Sequence, residues 1–213
     1  MNSNSMFEDT IDIHEVYICN NSLVSDIFDK CTAEEMKIRV ILSPKNADCS
    51  VVNEEILSRL PTETKTYLST DSVTSDNEEE AQNYPIEFIN FLTLSGMPPH
   101  RLNLKLEALI MLLRNLSITQ GIRNGTLGTI SAPRDSIEAS TISGSHSLTR
   151  VMIPRIKLTP SDTNIPFVLH RTQFPVRLSY FMTINKAQGQ TFDRVGIHML
   201  LLWPALRRFS RAV

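Results

Sequence analysis

Residues 174–192 read Phe174-Pro175-Val176-Arg177-Leu178-Ser179-Tyr180-Phe181-Met182-Thr183-Ile184-Asn185-Lys186-Ala187-Gln188-Gly189-Gln190-Thr191-Phe192. Apolar residues lead into a tight cluster of Thr, Asn, Lys, Gln, Gly and Gln, after which Val195-Gly196-Ile197 resumes strand chemistry. A polar cluster between two apolar runs marks the end of an element, where side chains and backbone N–H groups can both meet phosphate oxygens. Solvation alone accounts for a polar loop equally well. The stretch therefore establishes a strand, an elbow and a second strand before it says anything about function.

Working back from the elbow, Leu109–Leu113 reads as a strand, Gln120–Thr126 as a turn, and Thr129-Ile130 as a return to strand. That turn contains Asn124-Gly125, the dipeptide most strongly tied to short hairpins. Ser131–Ser147, rich in Ser, Thr and Ala, is expected to be a mobile loop, and Val151–Ile153 and Phe167–Leu169 further short strands. Residues 106–172 are thus expected to form a small antiparallel barrel. Earlier in the chain, Ile38–Leu42 is a β-branched apolar run ended by Ser43-Pro44, the pattern of a buried strand. Asn46 or Asp48 can cap a following helix with Val52, Ile56, Leu57 and Leu60 on one face and Pro61 closing it. Thr64–Leu68 reads as a strand, Ser69–Asn83 as an exposed acidic loop, Ile86–Leu92 as a short helix, and Pro98-Pro99 as an extended link. Residues 1–37 read as peripheral strand and helix.

With 213 residues, 41% of them hydrophobic, the chain can fill the core of one ordinary domain or of two small ones sharing an interface. Cys19, Cys31 and Cys49 are odd in number and too far apart for a metal knuckle or a redox pair, which fits reduced thiols in a cytosolic or nuclear protein. The polar, acidic start from Met1 to Asp9 does not read as a secretory or transit signal. No apolar run is long enough to span a bilayer, so no membrane partner is expected. The formal net charge of −2 conceals an asymmetry: residues 1–100 carry 6 Lys/Arg against 18 Asp/Glu, and residues 101–213 carry 15 against 5. Clustered arginine suits phosphate, because its planar donor fork fits phosphate oxygens and neutralising them releases counterions. Mutual neutralisation of the two halves would use the same charges.

The string Met182–Phe192 closely resembles the motif T-I-x-K-[SA]-Q-G-x-T of Pif-type and RecD-type superfamily-one helicases. Asn185 stands where many members carry histidine; asparagine there is typical of the Helitron transposon branch. Two other segments agree in order. Leu42-Ser43-Pro44-Lys45-Asn46, with Val51 and Asn53 downstream, resembles the first motif of the family's second motor domain. Met111–Leu116 with Gly121 and Asn124–Thr126 resembles its hairpin and barrel entry. This resemblance implies an α/β fold: an incomplete RecA-like second motor domain of the P-loop NTPase type, with an inserted small SH3-like β-barrel. Residues 38–105 and 173–213 would form the RecA-like domain, the latter with an atypical end, and residues 106–172 the insertion.

The implied activity is that of the C-terminal half of an ATP-dependent 5′–3′ DNA helicase acting in replication, repair, recombination or Helitron transposition, and a nuclear location. ATP and Mg²⁺ are the implied cofactors. Single-stranded DNA and a missing N-terminal RecA-like half are the implied partners. Gly189 and Gln190 would lie near the nucleotide. Thr183, Asn185 and Lys186 would approach the DNA backbone, and Asn46 and Asn53 would face the strand too, although capping and turn hydrogen bonds account for these two asparagines equally well. The chain contains no G-x-x-x-x-G-K-[ST] and no Walker B acidic pair, hence no cradle for phosphates and no hydroxyl for the metal, and alone it is expected not to hydrolyse ATP. Beyond Ile197 the family pattern reaches an Ala-Leu-Ser-Arg motif. Here His198–Leu206 departs from it and Phe209-Ser210-Arg211-Ala212 arrives early, so Arg211 is the candidate arginine finger, with a shifted reading frame an equal account of the tail. The alternative function is a non-catalytic DNA-binding remnant of a transposon helicase.

Overall fold

The computed structural model describes residues 18–19, 22–44, 49–74, 84–92, 94, 96–133, 135–142, 149–160, 167–198 and, by backbone alone, 208–212. The first sheet is mixed and five-stranded. It contains β1 (Ile18–Cys19), β2 (Arg39–Ser43), β13 (Phe181–Thr183), β14 (Arg194–Ile197) and β15 (Arg208–Ala212), in the order β1-β15-β14-β2-β13. Strand β2 runs parallel to both its neighbours. A strand flanked by parallel neighbours is covered on both faces, which explains a continuous apolar run where an alternating one would serve a half-exposed strand. Val40 and Ile41 are fully buried accordingly.

Helix α1 (Leu23–Phe28) packs on this sheet through Leu23, Val24, Ile27 and Phe28, all buried, so this segment is part of the core where a peripheral position was expected. Gly196 in β14 makes the approach possible: a Cβ there would stand 3.0 Å from Ile27 and 3.1 Å from Leu23. Helix α2 (Ala33–Lys37) opens with a capping box, the Thr32 hydroxyl accepting from Glu35 N–H and the Glu35 carboxylate from Thr32 N–H. Helix α3 (Cys49–Ser58) buries Cys49, Asn53, Ile56 and Leu57; of the expected apolar face Val52 is only partly buried, and Leu60 is buried just beyond the helix.

A second five-stranded sheet is antiparallel, ordered β12-β6-β7-β8-β9. Its strands are β6 (Leu109–Leu112), β7 (Leu127–Pro133), β8 (Ile137–Thr141), β9 (Arg150–Ile153) and β12 (Val176–Leu178). Every residue of β6 is buried. The terminal strands β12 and β9 do not pair, so among the described residues this sheet stays open and the expected closed barrel is not formed. Strands β7 and β8 also replace most of the loop expected over Ser131–Ser147, with residues 143–148 outside the described set. Serine, threonine and alanine were read there as loop chemistry. Paired in register with β7 and β9, the same residues serve as a strand.

Two smaller sheets complete the fold. Strand β3 (Lys65–Leu68) pairs with β5 (Arg101–Leu104), and β11 (Val168–Gln173) lies between β10 (Ile156–Leu158) and β4 (Thr70–Thr74). With helix α4 (Ile86–Phe91), the latter sheet encloses a separate small core of Ile89, Met97, Leu158, Phe167 and Leu169. Strand β4 falls within the stretch read as an exposed acidic loop. Its Asp71 carboxylate is fully enclosed and takes a two-pronged ion pair from Arg171, at 2.7 Å from Nη2 and 3.0 Å from Nε. The same guanidinium donates to the carbonyls of Ile89, Leu92 and Pro98, tying β4, β11 and α4 together. Ladders β11–β4 and β12–β6 run across residues 105 and 173, the limits expected for the inserted module.

Candidate functional site

Parallel pairing puts the carboxyl ends of β2 and β13 at one edge, with Ser43 opposite Thr183. In open α/β sheets that edge is where ligands bind, because the loops leaving it splay apart. One such loop carries Asn46, which lies outside the described residues. The other is the elbow. Thr183 ends β13 in extended conformation, and helix α5 (Ile184–Ala187) makes a single turn. Gln190 N–H then closes the bend on Ala187 O at 3.0 Å. Gly189 sits at φ +78°, a left-handed conformation that costs glycine little.

Facing the elbow is the connection between β6 and β7. It was expected to be a tight Asn-Gly hairpin, but the whole of 113–126 separates the strands, with a bridge between Ser117 and Ile122 inside it. Asn124-Gly125 does form a turn: Thr126 N–H reaches Arg123 O at 3.0 Å, and Gly125 is at φ +89°. The Asn115 side chain accepts from Asn124 N–H at 2.8 Å and steadies it. Residues 121 and 123–126 on one side, and 185, 186 and 188–190 on the other, enclose an open groove of about 410 Å³. Gln190 bridges the two walls, its Nε2 donating to Gly125 O at 3.2 Å, while its buried Oε1 has no hydrogen-bond partner.

The lining of the groove contains Lys186 and Arg123 and no carboxylate. Burial holds the Lys186 ammonium below the ordinary lysine range, and the guanidiniums of Arg177 and Arg114 push it further down. Burial likewise lowers Arg177, a residue of the quoted stretch whose place in this cluster went unrecognised. A charged side chain inside the apolar run Val176-Arg177-Leu178 was the available signal. Such an arrangement can receive an anion: it offers positive charge, amide donors and three left-handed glycines, Gly121, Gly125 and Gly189, that leave the backbone accessible.

The structure brings Asn185, Lys186, Gly189 and Gln190 to the groove, while Thr183, the residue before α5, is not among its lining. It does not bring Asn53 there. Asn53 is 5% exposed and uses both amide ends internally: Nδ2 donates to Cys49 O (2.6 Å) and Phe181 O (2.8 Å), and Oδ1 accepts from the N–H groups of Tyr180 (2.9 Å) and Phe181 (3.0 Å). With two donors and two acceptor sites all engaged, this residue joins α3 to β13, and nothing of it is left for a strand. Arg211 stands in β15 opposite Val195 by backbone register. Among the described residues no group of His, Cys, Asp and Glu could hold a metal ion, and no helix is long and apolar enough to cross a membrane.

Comparison with known proteins gives one consistent result. The family model described as "DNA helicase Pif1, 2B domain" matches residues 87–132. Human ATP-dependent DNA helicase PIF1 is 28% identical over 158 residues, which cover 71% of this chain and 22% of that protein. The rat protein of the same name is 27% identical over 158 residues, with the same coverage. Among solved structures, Bacteroides Pif1 bound to ssDNA matches 83% of this chain and 38% of its own at TM-score 0.54 and 22% identity. Pif1 helicase from Candida albicans matches 82% of this chain and 43% of its own, also at TM-score 0.54 and 22% identity. At that identity the structures establish the fold alone, an arrangement of mixed sheets and helices. The chain spans 22% of the length of its curated relatives.

Proposed function

Taking this chain as part of a Pif1-family helicase sequence, we propose that it is the C-terminal portion of an ATP-dependent 5′–3′ DNA helicase. In this reading the groove between 121–126 and 185–190 follows the phosphate backbone of single-stranded DNA. Its cationic, carboxylate-free lining carries the proposal. Asn185 and Lys186 would contact the strand, and Gly189 and Gln190 would face a nucleotide. Arg211 would be the arginine that reaches the nucleotide's phosphates. Residues 106–172 would correspond to the SH3-like insertion of the second motor domain, in an open form. A nuclear role in DNA maintenance or transposition goes with the reading.

The donor set here does not fit the whole cofactor. The groove offers amide oxygens and no carboxylate for Mg²⁺, and the sequence has no P-loop for a triphosphate. ATP and its metal would thus be held chiefly by an opposing RecA-like lobe, and no step of hydrolysis is assigned to this chain.

The test is a titration of the 213-residue chain with labelled oligo-dT across a salt series. Affinity is expected to fall log-linearly with salt, and Lys186→Ala to flatten the slope by about one counterion. Affinity indifferent to salt would overturn the proposal.

A further inference from the structure

Gln190 is where the two walls of the groove touch. Its Nε2 donates to Gly125 O at 3.2 Å across 65 residues of sequence, and both residues line the same groove. Among the described residues no other hydrogen bond or ion pair joins 121–126 to 184–190. Packing at the two glycines does not replace it: a Cβ added at Gly125 or at Gly189 would meet nothing within 4 Å, so the two turns stand clear of each other there.

Each wall is otherwise held from its own side. The turn is fastened to the second sheet, with Gly125 N–H donating to Leu112 O at 2.8 Å, Leu112 N–H to Thr126 O at 3.0 Å and Asn124 N–H to the Asn115 side chain. The elbow continues β13 of the first sheet. The opposite end of β6 is tied to the chain entering β13, where Leu109 N–H donates to the Tyr180 hydroxyl and Ser179 N–H to Leu109 O. At the end of β6 that opens into the groove, Gln190 makes the corresponding tie.

The Gln190 amide has nothing left for a ligand. Nε2 is engaged by Gly125 O, and Oε1 is shut off from solvent without a hydrogen-bond partner. An acceptor buried in that way offsets the gain from the neutral hydrogen bond beside it, so the contact adds little to the stability of the fold. Its effect is to fix where one wall stands relative to the other, and a wall already in place spares a ligand the cost of ordering it.

We propose that Gln190 is a positioning residue: it clips the 121–126 turn to the elbow and sets the width of the groove, without itself holding the ligand. Only the identity of that ligand, a strand of DNA, rests on the function proposed above. In that setting Gln190 would act on strand or nucleotide through the wall it holds.

The experiment compares wild type, Gln190→Met and Gln190→Lys as full chains. Methionine keeps the length of the side chain and loses the donor; lysine keeps a donor on a longer stem. Hydrogen exchange without ligand reads the clip, while melting temperature and oligo-dT titration across salt read its consequences. In Gln190→Met the amides of 123–126 are expected to exchange several-fold faster than in wild type, with the melting temperature nearly unchanged. Oligo-dT should bind that variant several-fold more weakly at every salt concentration and with the same slope, since no cation is lost. Gln190→Lys should bring exchange back towards the wild-type rate; its added charge acts on DNA by itself, so only exchange is compared. Wild-type exchange in Gln190→Met would overturn the inference, as would faster exchange with the affinity of an oligo-dT-binding wild type retained. A large fall in melting temperature would make Gln190 a structural residue and overturn it too. A wild-type chain that ignores oligo-dT, with exchange still accelerated in Gln190→Met and restored in Gln190→Lys, would sink the DNA reading and support the clip.

Discussion

Tyr180, one residue before β13, shows how a buried side chain sets both local packing and a response to pH. Its ring meets Phe28 edge-on at 5.8 Å, and its hydroxyl accepts from Leu109 N–H at 3.0 Å, joining α1, β6 and the approach to the elbow. Burial is the main reason its phenol is pushed up to about 12; the hydrogen bond from Leu109 opposes the rise and Glu107 adds to it. The folded chain therefore holds the neutral phenol more tightly than the unfolded chain does. Stability from this group is complete below an unfolded tyrosine's pKa of about 10. It is lost as pH rises from there towards 12. Tyr180→Phe removes that dependence and leaves Leu109 N–H without an acceptor, at a cost of about 1–3 kcal/mol. Urea melts from pH 7 to 11 should show the variant less stable at pH 7 and with a shallower alkaline decline. Part of the decline remains, because burial pushes the Tyr67 phenol up to about 12 as well. A variant that declines as steeply as wild type would contradict this assignment.

Between elements, the tie that matters most is Asn53, which fastens α3 to the chain entering β13 through three hydrogen bonds and makes a fourth within its own helix, to Cys49 O. Asn53→Ala leaves the N–H groups of Tyr180 and Phe181 buried without that acceptor, and a loss of at least ~2 kcal/mol is expected. Because β13 leads straight into α5, the variant should also weaken oligo-dT binding without changing its salt slope, since no cation is removed. A change in slope would return Asn53 to the strand-facing role that the sequence suggested. How much was legible in the sequence follows the range of the interactions. Strand β2, helix α3 and the elbow were readable because their apolar pattern and punctuation are local. Asp71 was not: it reads as part of an acidic loop because the guanidinium that encloses it is supplied by Arg171, a hundred residues later. Likewise, nothing near Asn124-Gly125 announces that this turn will face Gln190. Arg177 was visible as a charge among apolar residues, but its lack of a partner emerges only once β12 is docked on β6.

For the molecule as a whole, the acidic first half and basic second half do not simply cancel by pairing. Carboxylates of the first half are drawn into bonds such as Asp71–Arg171 and Glu35–Arg39, while among the described residues no carboxylate forms an ion pair with Arg177 or Lys186. In the function proposed, the edge at the carboxyl ends of β2 and β13 and the groove beside it would face a second lobe. In that same proposal the elbow and the 121–126 turn act as two walls of one phosphate-binding groove. Hydrogen exchange on the full chain, with and without saturating oligo-dT, tests this most directly. Amides in 121–126 and in 184–190 should slow together when the oligonucleotide binds, whereas binding that slows other segments and leaves both walls exchanging at their free rates would contradict the account.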